Sequence, residues 1–177
     1  MTDLVQRAAE FAKAAHEAVN QRRKYTDQPY FVHPEEVATR IADLDFRPEM
    51  VAAAYLHDTV EDTNVTIDQI YEEFGNDVGR MVAGLTDVSI QDEHKQKNRK
   101  ERKELDAEHL SMQDADTQTI KYVDIYCNTS DIAENAPGFA RSKYLPEIKH
   151  CLEGMTKGDA FLRGKAWEAY YAAVDKE

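Results

Sequence analysis

The stretch VAAAYLHDTVEDT, Val51 to Thr63, sets an alanine-rich apolar run directly against an imidazole and three carboxylates. A run that buries itself does not ordinarily lead into four titratable groups, because burying charge without a partner is expensive. Pro48 opens the segment, and PEMVAAAYLHDTV reads as one helix with proline in its first turn, where the missing N–H costs nothing. On such a helix residues four apart share a face, which sets His57 above Glu61 and Asp58 above Asp62. Carboxylates at that spacing repel, and a divalent cation among them relieves the repulsion. Taken alone, the same pattern also fits a solvated helix end.

Working outward from this segment gives helices on both sides. Val5, Ala8, Phe11, Ala12, Ala15 and Val19 recur at helical spacing and predict a first helix from about Asp3 to Asn20. RRKYTDQPYF, Arg22 to Phe31, breaks that period and reads as a loop. Pro34 fits the first turn of PEEVATRIADL. Thr66 is placed to cap IDQIYEEF and Gly75 to stop it, with NDVGRMVAGLTDV as a further helix. After a strongly charged segment, TIKYVDIYCNTSDIAEN returns to the helical pattern at Ile120, Val123 and Cys127. Pro137-Gly138 breaks the chain before two closing helices, the last being GDAFLRGKAWEAYYAAVDK. Long alternating β-branched runs are scarce. The expectation is an all-α fold, one bundle of about eight to ten helices over residues 1–177.

Composition bounds the function. A chain of 177 residues suits one domain with a proper core. Its 42% apolar and 32% charged residues are ordinary for a soluble globular protein. A net charge of −12 argues against non-specific binding to nucleic acid or an anionic membrane. No apolar run approaches the ~20 residues that a membrane span needs. The first segment, MTDLVQRAAEFAKAAHEAVNQ, is interrupted by charge and lacks a secretory apolar core, so a cytoplasmic location is expected. Cys127 and Cys151 do not suggest a disulfide framework and read as buried or half-buried thiols.

Two further segments add to the acidic step. His33 immediately precedes Pro34 at a helix entrance, a place that also suits capping or packing. Asp124 lies in IKYVDIYCNTSDI on an otherwise apolar face, with Asn128 one turn on. Together, H…HD…D supplies two imidazoles and two carboxylates. Nitrogen and oxygen ligands without thiolate suit a divalent ion such as Mn²⁺, with Zn²⁺ or Fe²⁺ also compatible.

H…HD…D is the signature of the HD metal-dependent phosphohydrolase superfamily. The fuller set is RRKYTDQPYFVHP, AAYLHDTVEDT with FG beyond it, GLTD, and IKYVDIYCNT. In that order, over residues 5–135, it resembles the hydrolase domain of RelA/SpoT-type proteins, and the length resembles a stand-alone small alarmone hydrolase. The resemblance implies a single HD hydrolase domain, with core motifs in 5–135 and C-terminal helices in 138–175. The implied reaction is Mn²⁺-dependent hydrolysis of the 3′-pyrophosphate of guanosine tetra- or pentaphosphate, which lowers the alarmone of the stringent response. By motif position His33, His57, Asp58 and Asp124 would hold the metal. Glu61 and Asp62 would position and deprotonate the attacking water. Asn128 would bond the nucleoside sugar or orient the site.

The implied substrate carries several phosphates, whereas the chain has 34 acidic residues, so binding must use local positive charge. Arg22, Arg23 and Lys24 lead into the His33 loop, where the family places a basic residue against the base. HKQKNRKERK holds six Lys or Arg between Lys95 and Lys103, with Arg99 and Arg102 singled out for phosphate. Tyr30 matches a family tyrosine and equally suits packing. The loop departs from the usual RKSGEPY, reading KYTDQPY from Lys24. A stacking arginine is thus replaced by lysine unless Arg23 takes its place. Tyr25 offers an alternative aromatic surface, and Thr26 completes the substrate-facing set. VDIYCNTSDI likewise lacks a basic residue found in the usual ADRLHNMRT. The adenosine alarmone, NADPH, and the simpler substrates of a generic HD nucleotide phosphohydrolase therefore remain alternatives. The aromatic last helix, with Trp167, Tyr170 and Tyr171, suits either core or a homo-oligomer interface.

Overall fold

A computed structural model describes residues 3–91, 94 and 96–176. The fold is all-α. Ten α-helical stretches with short 3₁₀ and π turns make up the regular structure of the described residues, beside an isolated β-bridge between Arg22 and Pro29. The chain divides into two compact units, Met1–Thr86 and Asp87–Glu177.

The first unit comprises α1 (Asp3–Ala18), α2 (Val32–Asp43), α3 (Pro48–Leu56), α4 (Thr59–Asp62) and α5 (Ile67–Leu85). Every residue of α3 from Met50 to Leu56 is buried. A helix that is apolar all round belongs in the middle, and α1, α2 and α5 pack against it. The stripe that α1 turns inward is Val5, Ala8, Ala12 and His16. Val19, expected on that stripe, lies beyond the helix end and is exposed. The helix stops because Asn20 takes the left-handed conformation, with φ 51°. Its N–H donates to Glu17 O (2.9 Å) and the Gln21 N–H to His16 O (3.1 Å), the paired bonds of a Schellman cap.

The expectation of one helix through HDTVEDT is corrected by the structure. α3 ends at Leu56 and α4 begins at Thr59. Two side chains take the carbonyls that the backbone would use. The His57 ring bonds to Ala54 O at 2.8 Å, and Thr59 Oγ1 donates to Leu56 O at 2.7 Å. Such back-bonding competes with the helical ladder. Both residues of the break keep right-handed dihedrals, and the Asp62 N–H still reaches Asp58 O at 3.0 Å, so the chain changes step without turning away.

α5 starts on a reciprocal capping box between Thr66 and Gln69. Gly75 interrupts it as expected, with φ 84° and ψ 173°, so two helical pieces meet there at a kink.

The second unit holds α6 (Arg99–Met112), α7 (Ala115–Asn135), α8 (Pro137–Phe139), α9 (Leu145–Gly154) and α10 (Ala160–Val174), with a π turn over Ala140–Tyr144. The charged segment becomes a helix because Asn98 and Glu101 form a second capping box. Lys95 of that segment lies outside the described residues. α7 packs along α10 and α6 against α9. Tyr122, fully buried on α7, donates to Met155 O at 2.8 Å. Cys127 and Cys151 are buried and form no disulfide among the described residues, and burial pushes the Cys151 thiol up to about 11. Trp167, Tyr170 and Tyr171 pack on one another, with Tyr171 exposed. No helix among the described residues is long and apolar enough to cross a membrane.

Two tests of stability follow from these elements. A Cβ at Gly75 would meet nothing within 4 Å, so Gly75→Ala isolates backbone strain. Urea denaturation should show a loss of about 1–3 kcal/mol. Asp77 accepts from Arg47 and Arg80, and these guanidinium groups hold its carboxyl down to about 2. A carboxyl depressed on folding stabilises above its ordinary pKa and loses that contribution as pH falls toward the folded value. Asp77→Asn should therefore flatten the stability curve between about pH 4 and 2. The site is nearly half exposed, so the effect should stay under about 1 kcal/mol.

Candidate metal centre

Three elements of the first unit converge on one point. The first turn of α2 brings in His33, the end of α3 brings His57, and the step into α4 brings Asp58. Each offers a ligand atom within 4.8 Å of the others. Nε2 of His57 lies 3.1 Å from Asp58 Oδ2, and Nε2 of His33 lies 3.8 Å from the same oxygen. The two rings sit 5.3 Å apart at 71°. Both histidines are about 2% exposed.

The bond from His57 to Ala54 O decides its tautomer. A carbonyl only accepts, so Nδ1 carries the hydrogen, and in a neutral ring Nε2 then presents a lone pair to the Asp58 carboxylate. Two electron-rich atoms at that distance, shielded from water, need a second ring proton or a cation between them. The donor set of two imidazoles and a carboxylate fits a divalent ion. Tyr30 reinforces the arrangement by donating to Asp58 Oδ2 at 2.6 Å. It thereby pins the carboxylate from outside, as partners of metal ligands commonly do.

Glu61 is half-buried in the single turn of α4. Asp62 is exposed as a residue, but its carboxylate turns back toward the site and accepts from Gln21 Nε2 at 2.9 Å. Loss of solvent around that carboxylate and the nearby Asp58 charge push its pKa up, against the pull of the Gln21 bond. Gln21 Oε1 in turn lies 2.6 Å from His16 Nδ1. Neither His16 nor Gln21 is singled out by motif. The available signal was a histidine four residues after Ala12, on the buried stripe of α1.

The loop before α2 is tight. The Arg23 N–H donates to Gln28 O (2.8 Å), the Asp27 N–H to Arg23 O (3.0 Å), and Asp27 is left-handed with φ 56°. Half-buried Arg23 sets its guanidinium 5.9 Å from the Tyr30 ring. Exposed Lys24 lies 5.5 Å from the ring of Tyr25, and Thr26 is exposed at the tip.

The remaining expected residues lie in the second unit. Asp124, 5% exposed on α7, has Lys121 Nζ at 2.8 Å from one oxygen and accepts from Asn128 Nδ2 at 2.6 Å on the other. Lys121, one turn earlier, was not anticipated from sequence. Arg99 forks onto Glu147 with two bonds of 2.8 Å, and Arg102 is half-buried on the same helix. Lys103 is tied to Asp87 at 2.5 Å and to Asp106 at 3.2 Å. Arg99, Lys100, Lys103 and Lys143 line a cavity of about 380 Å³ together with Glu104 and Glu147.

An all-helical chain that gathers two imidazoles and a carboxylate at a break between helices belongs to the class of helical metal-binding domains. More particularly, it is a member of the HD domain family, whose pattern matches residues 8–138. A guanosine-3′,5′-bis(diphosphate) 3′-pyrophosphohydrolase of Aquifex aeolicus is 43% identical over 84 residues, which cover 48% of this chain and 12% of the relative. A probable GTP pyrophosphokinase of Mycobacterium leprae is 46% identical over 83 residues, 47% of this chain and 10% of that one. The chain thus spans about a tenth of the length of these curated relatives. A solved structure described as a metazoan ortholog of SpoT that hydrolyzes ppGpp is 26% identical, with a TM-score of 0.84, covering 97% of this chain and 96% of that one. A crystal structure from Listeria monocytogenes shares the fold at 24% identity and a TM-score of 0.66, covering 86% of this chain and all of the other.

The Tyr30 bond gives a direct test of the centre. Tyr30→Phe should weaken divalent-ion binding roughly tenfold in calorimetry, in the range typical of lost partners to a ligand. Thr26→Ala, at the loop tip, should leave it unchanged.

Proposed function

We propose that the chain hydrolyses the 3′-pyrophosphate of guanosine tetra- or pentaphosphate, giving GDP or GTP plus pyrophosphate, with Mn²⁺ as its ion. The observation that carries this reading is the convergence of His33, His57 and Asp58 beside the Glu61–Asp62 step. The names of the Aquifex relative and of the metazoan structure support the same substrate. The reading takes residues 1–177 as one hydrolase domain, in keeping with a family pattern that runs from residue 8 to 138.

His33, His57 and Asp58 would hold the ion, and Asp124 is assigned to it by its place in the family pattern alone. When bound, the ion lowers the pKa of a coordinated water and polarises the phosphoryl oxygen. Glu61 and Asp62 orient the attacking water and accept its proton, and the raised pKa of Asp62 suits that task. The water oxygen bonds to the phosphorus attached to the ribose 3′ oxygen. That P–O bond breaks, the 3′ oxygen keeps the electron pair and takes up a proton, and pyrophosphate leaves. Asn128 holds the Asp124 carboxylate by its 2.6 Å bond.

Base recognition falls to the loop. Arg23 faces Tyr30, so the loop tip offers Lys24, Tyr25 and Thr26 in place of a stacking arginine. This favours a second reading in which the adenosine counterpart is accepted as well. Arg99 and Arg102 are the proposed phosphate contacts on α6.

Purified protein with Mn²⁺ should release pyrophosphate from guanosine tetraphosphate, and Asp58→Ala should abolish the release. A parallel panel of adenosine tetraphosphate, NADPH and simple nucleotides fixes the base preference. Release of orthophosphate alone would move the chain to the generic HD nucleotidases. Glu61→Gln should keep metal affinity and lose about 10²–10⁴ in rate. Equal loss of both would remove Glu61 from the role of base.

A further inference from the structure

The C-terminal cap of α1 does more than end a helix. In a Schellman cap the residue two past the helix end usually meets the residue three before it through an apolar contact. Here those positions are Gln21 and His16, and the contact is polar, with His16 Nδ1 at 2.6 Å from Gln21 Oε1. The other end of the same amide donates to Asp62 Oδ2 at 2.9 Å. The Tyr30 N–H, bonded to Gln21 O at 3.0 Å, ties the cap to the residue that also holds Asp58.

An amide has two ends of nearly equal shape, and nothing within Gln21 decides which one faces Asp62. A carboxylate only accepts, so it requires the NH₂ end. His16 meets that requirement from the opposite side if Nδ1 carries a hydrogen and donates to Oε1. Burial lowers the pKa of His16 and favours the neutral ring, which leaves a lone pair on Nε2. That Nε2 is buried without a hydrogen-bond partner among the described residues, in a side chain 1% exposed. Leaving such an atom unmatched is costly, so the ring is held in place for its other nitrogen. Its face packs 4.9 Å from the Tyr30 ring.

We infer that His16 is a positioning residue, which fixes the amide of Gln21 so that Gln21 holds the Asp62 carboxylate beside the metal centre. The inference rests on the role proposed above for Asp62. His16 touches neither substrate nor ion. It acts through one rigid amide, and the helix cap sets the geometry.

The test combines kinetics with nitrogen NMR of the metal-free protein. His16→Leu and Gln21→Leu should each lower kcat roughly tenfold with KM within about twofold, as partners of catalytic groups typically do. His16→Asn, which keeps a donor near the Nδ1 position, should recover most of the rate. In an Asp62→Asn background His16→Leu should cost nothing further. The ¹⁵N shifts of His16 should show the Nδ1–H tautomer. Exchange of the Gln21 side-chain amide protons should speed up in both His16→Leu and Asp62→Ala. A wild-type Nε2–H tautomer, unchanged amide exchange, losses that add to Asp62→Asn, or no rescue by asparagine in a variant that melts normally would each overturn the inference. If Asp62→Asn retains full activity while the tautomer and exchange results hold, the hydrolytic role of Asp62 fails and the hydrogen-bonded relay stands.

Discussion

The first unit depends on what α3 delivers to its own end. Seven consecutive buried residues, Met50 to Leu56, carry the chain through the middle of the unit and leave His57 in the interior. Placing two imidazoles and a carboxylate there costs several kcal/mol unless they compensate one another or hold an ion. The surrounding groups are arranged around that cost. Ala54 O takes the Nδ1 hydrogen of His57, and Tyr30 takes one lone pair of Asp58. What remains faces inward to a common point. The helix break between Leu56 and Thr59 has the same origin, since an uninterrupted ladder would have needed the Ala54 carbonyl for itself.

Two carboxylates four residues apart thereby sit in different surroundings. Asp58 accepts from the Tyr30 phenol and faces the ring nitrogens of His33 and His57. Asp62 is bonded by a neutral amide and pushed toward protonation by lost solvent and by Asp58 itself. Unlike surroundings of this kind would let neighbouring acids divide the work of ligand and base in the proposed reaction. Sequence spacing alone makes Asp58 and Asp62 equivalent, and the α1 cap removes the equivalence.

The features legible in the sequence are those with local causes. Thr66 acts through its own hydroxyl and Gly75 through its own backbone, and both do in the fold what their residue types demand. The acidic step is legible as chemistry, because four titratable groups directly after the buried run VAAAYL must be compensated by something that binds them. The break at His57–Asp58 is hidden, since dihedrals there stay helical and only side-chain bonds mark it. His16 is hidden because the apolar periodicity of α1 leads on to Val19, an exposed residue beyond the helix. The polar residue on the buried stripe is the more informative departure. Lys121 is hidden for the same reason, lying one turn before a buried acid on a helix whose pattern is set by its apolar face.

The cations of the second unit show how an acidic chain keeps positive charge in reserve. Arg99 lies on Glu147, Lys103 on Asp87 and Asp106, and Lys121 on Asp124. A polyphosphate arriving at any of them would have to exchange places with a carboxylate. The gain is then the difference between two anions and not the full attraction of a bare cation. For Arg99 the exchange is geometrically simple, because the fork that fits a carboxylate with two parallel bonds fits a phosphate equally well. Lys103 is less exchangeable. Its partner Asp106 is buried and also accepts from the Ser89 N–H and hydroxyl, so removing the lysine would leave a buried acid to be protonated or resolvated. Of these two, Arg99, paired at the surface, is able to change partners, and Lys103, tied to a buried acid, is structural.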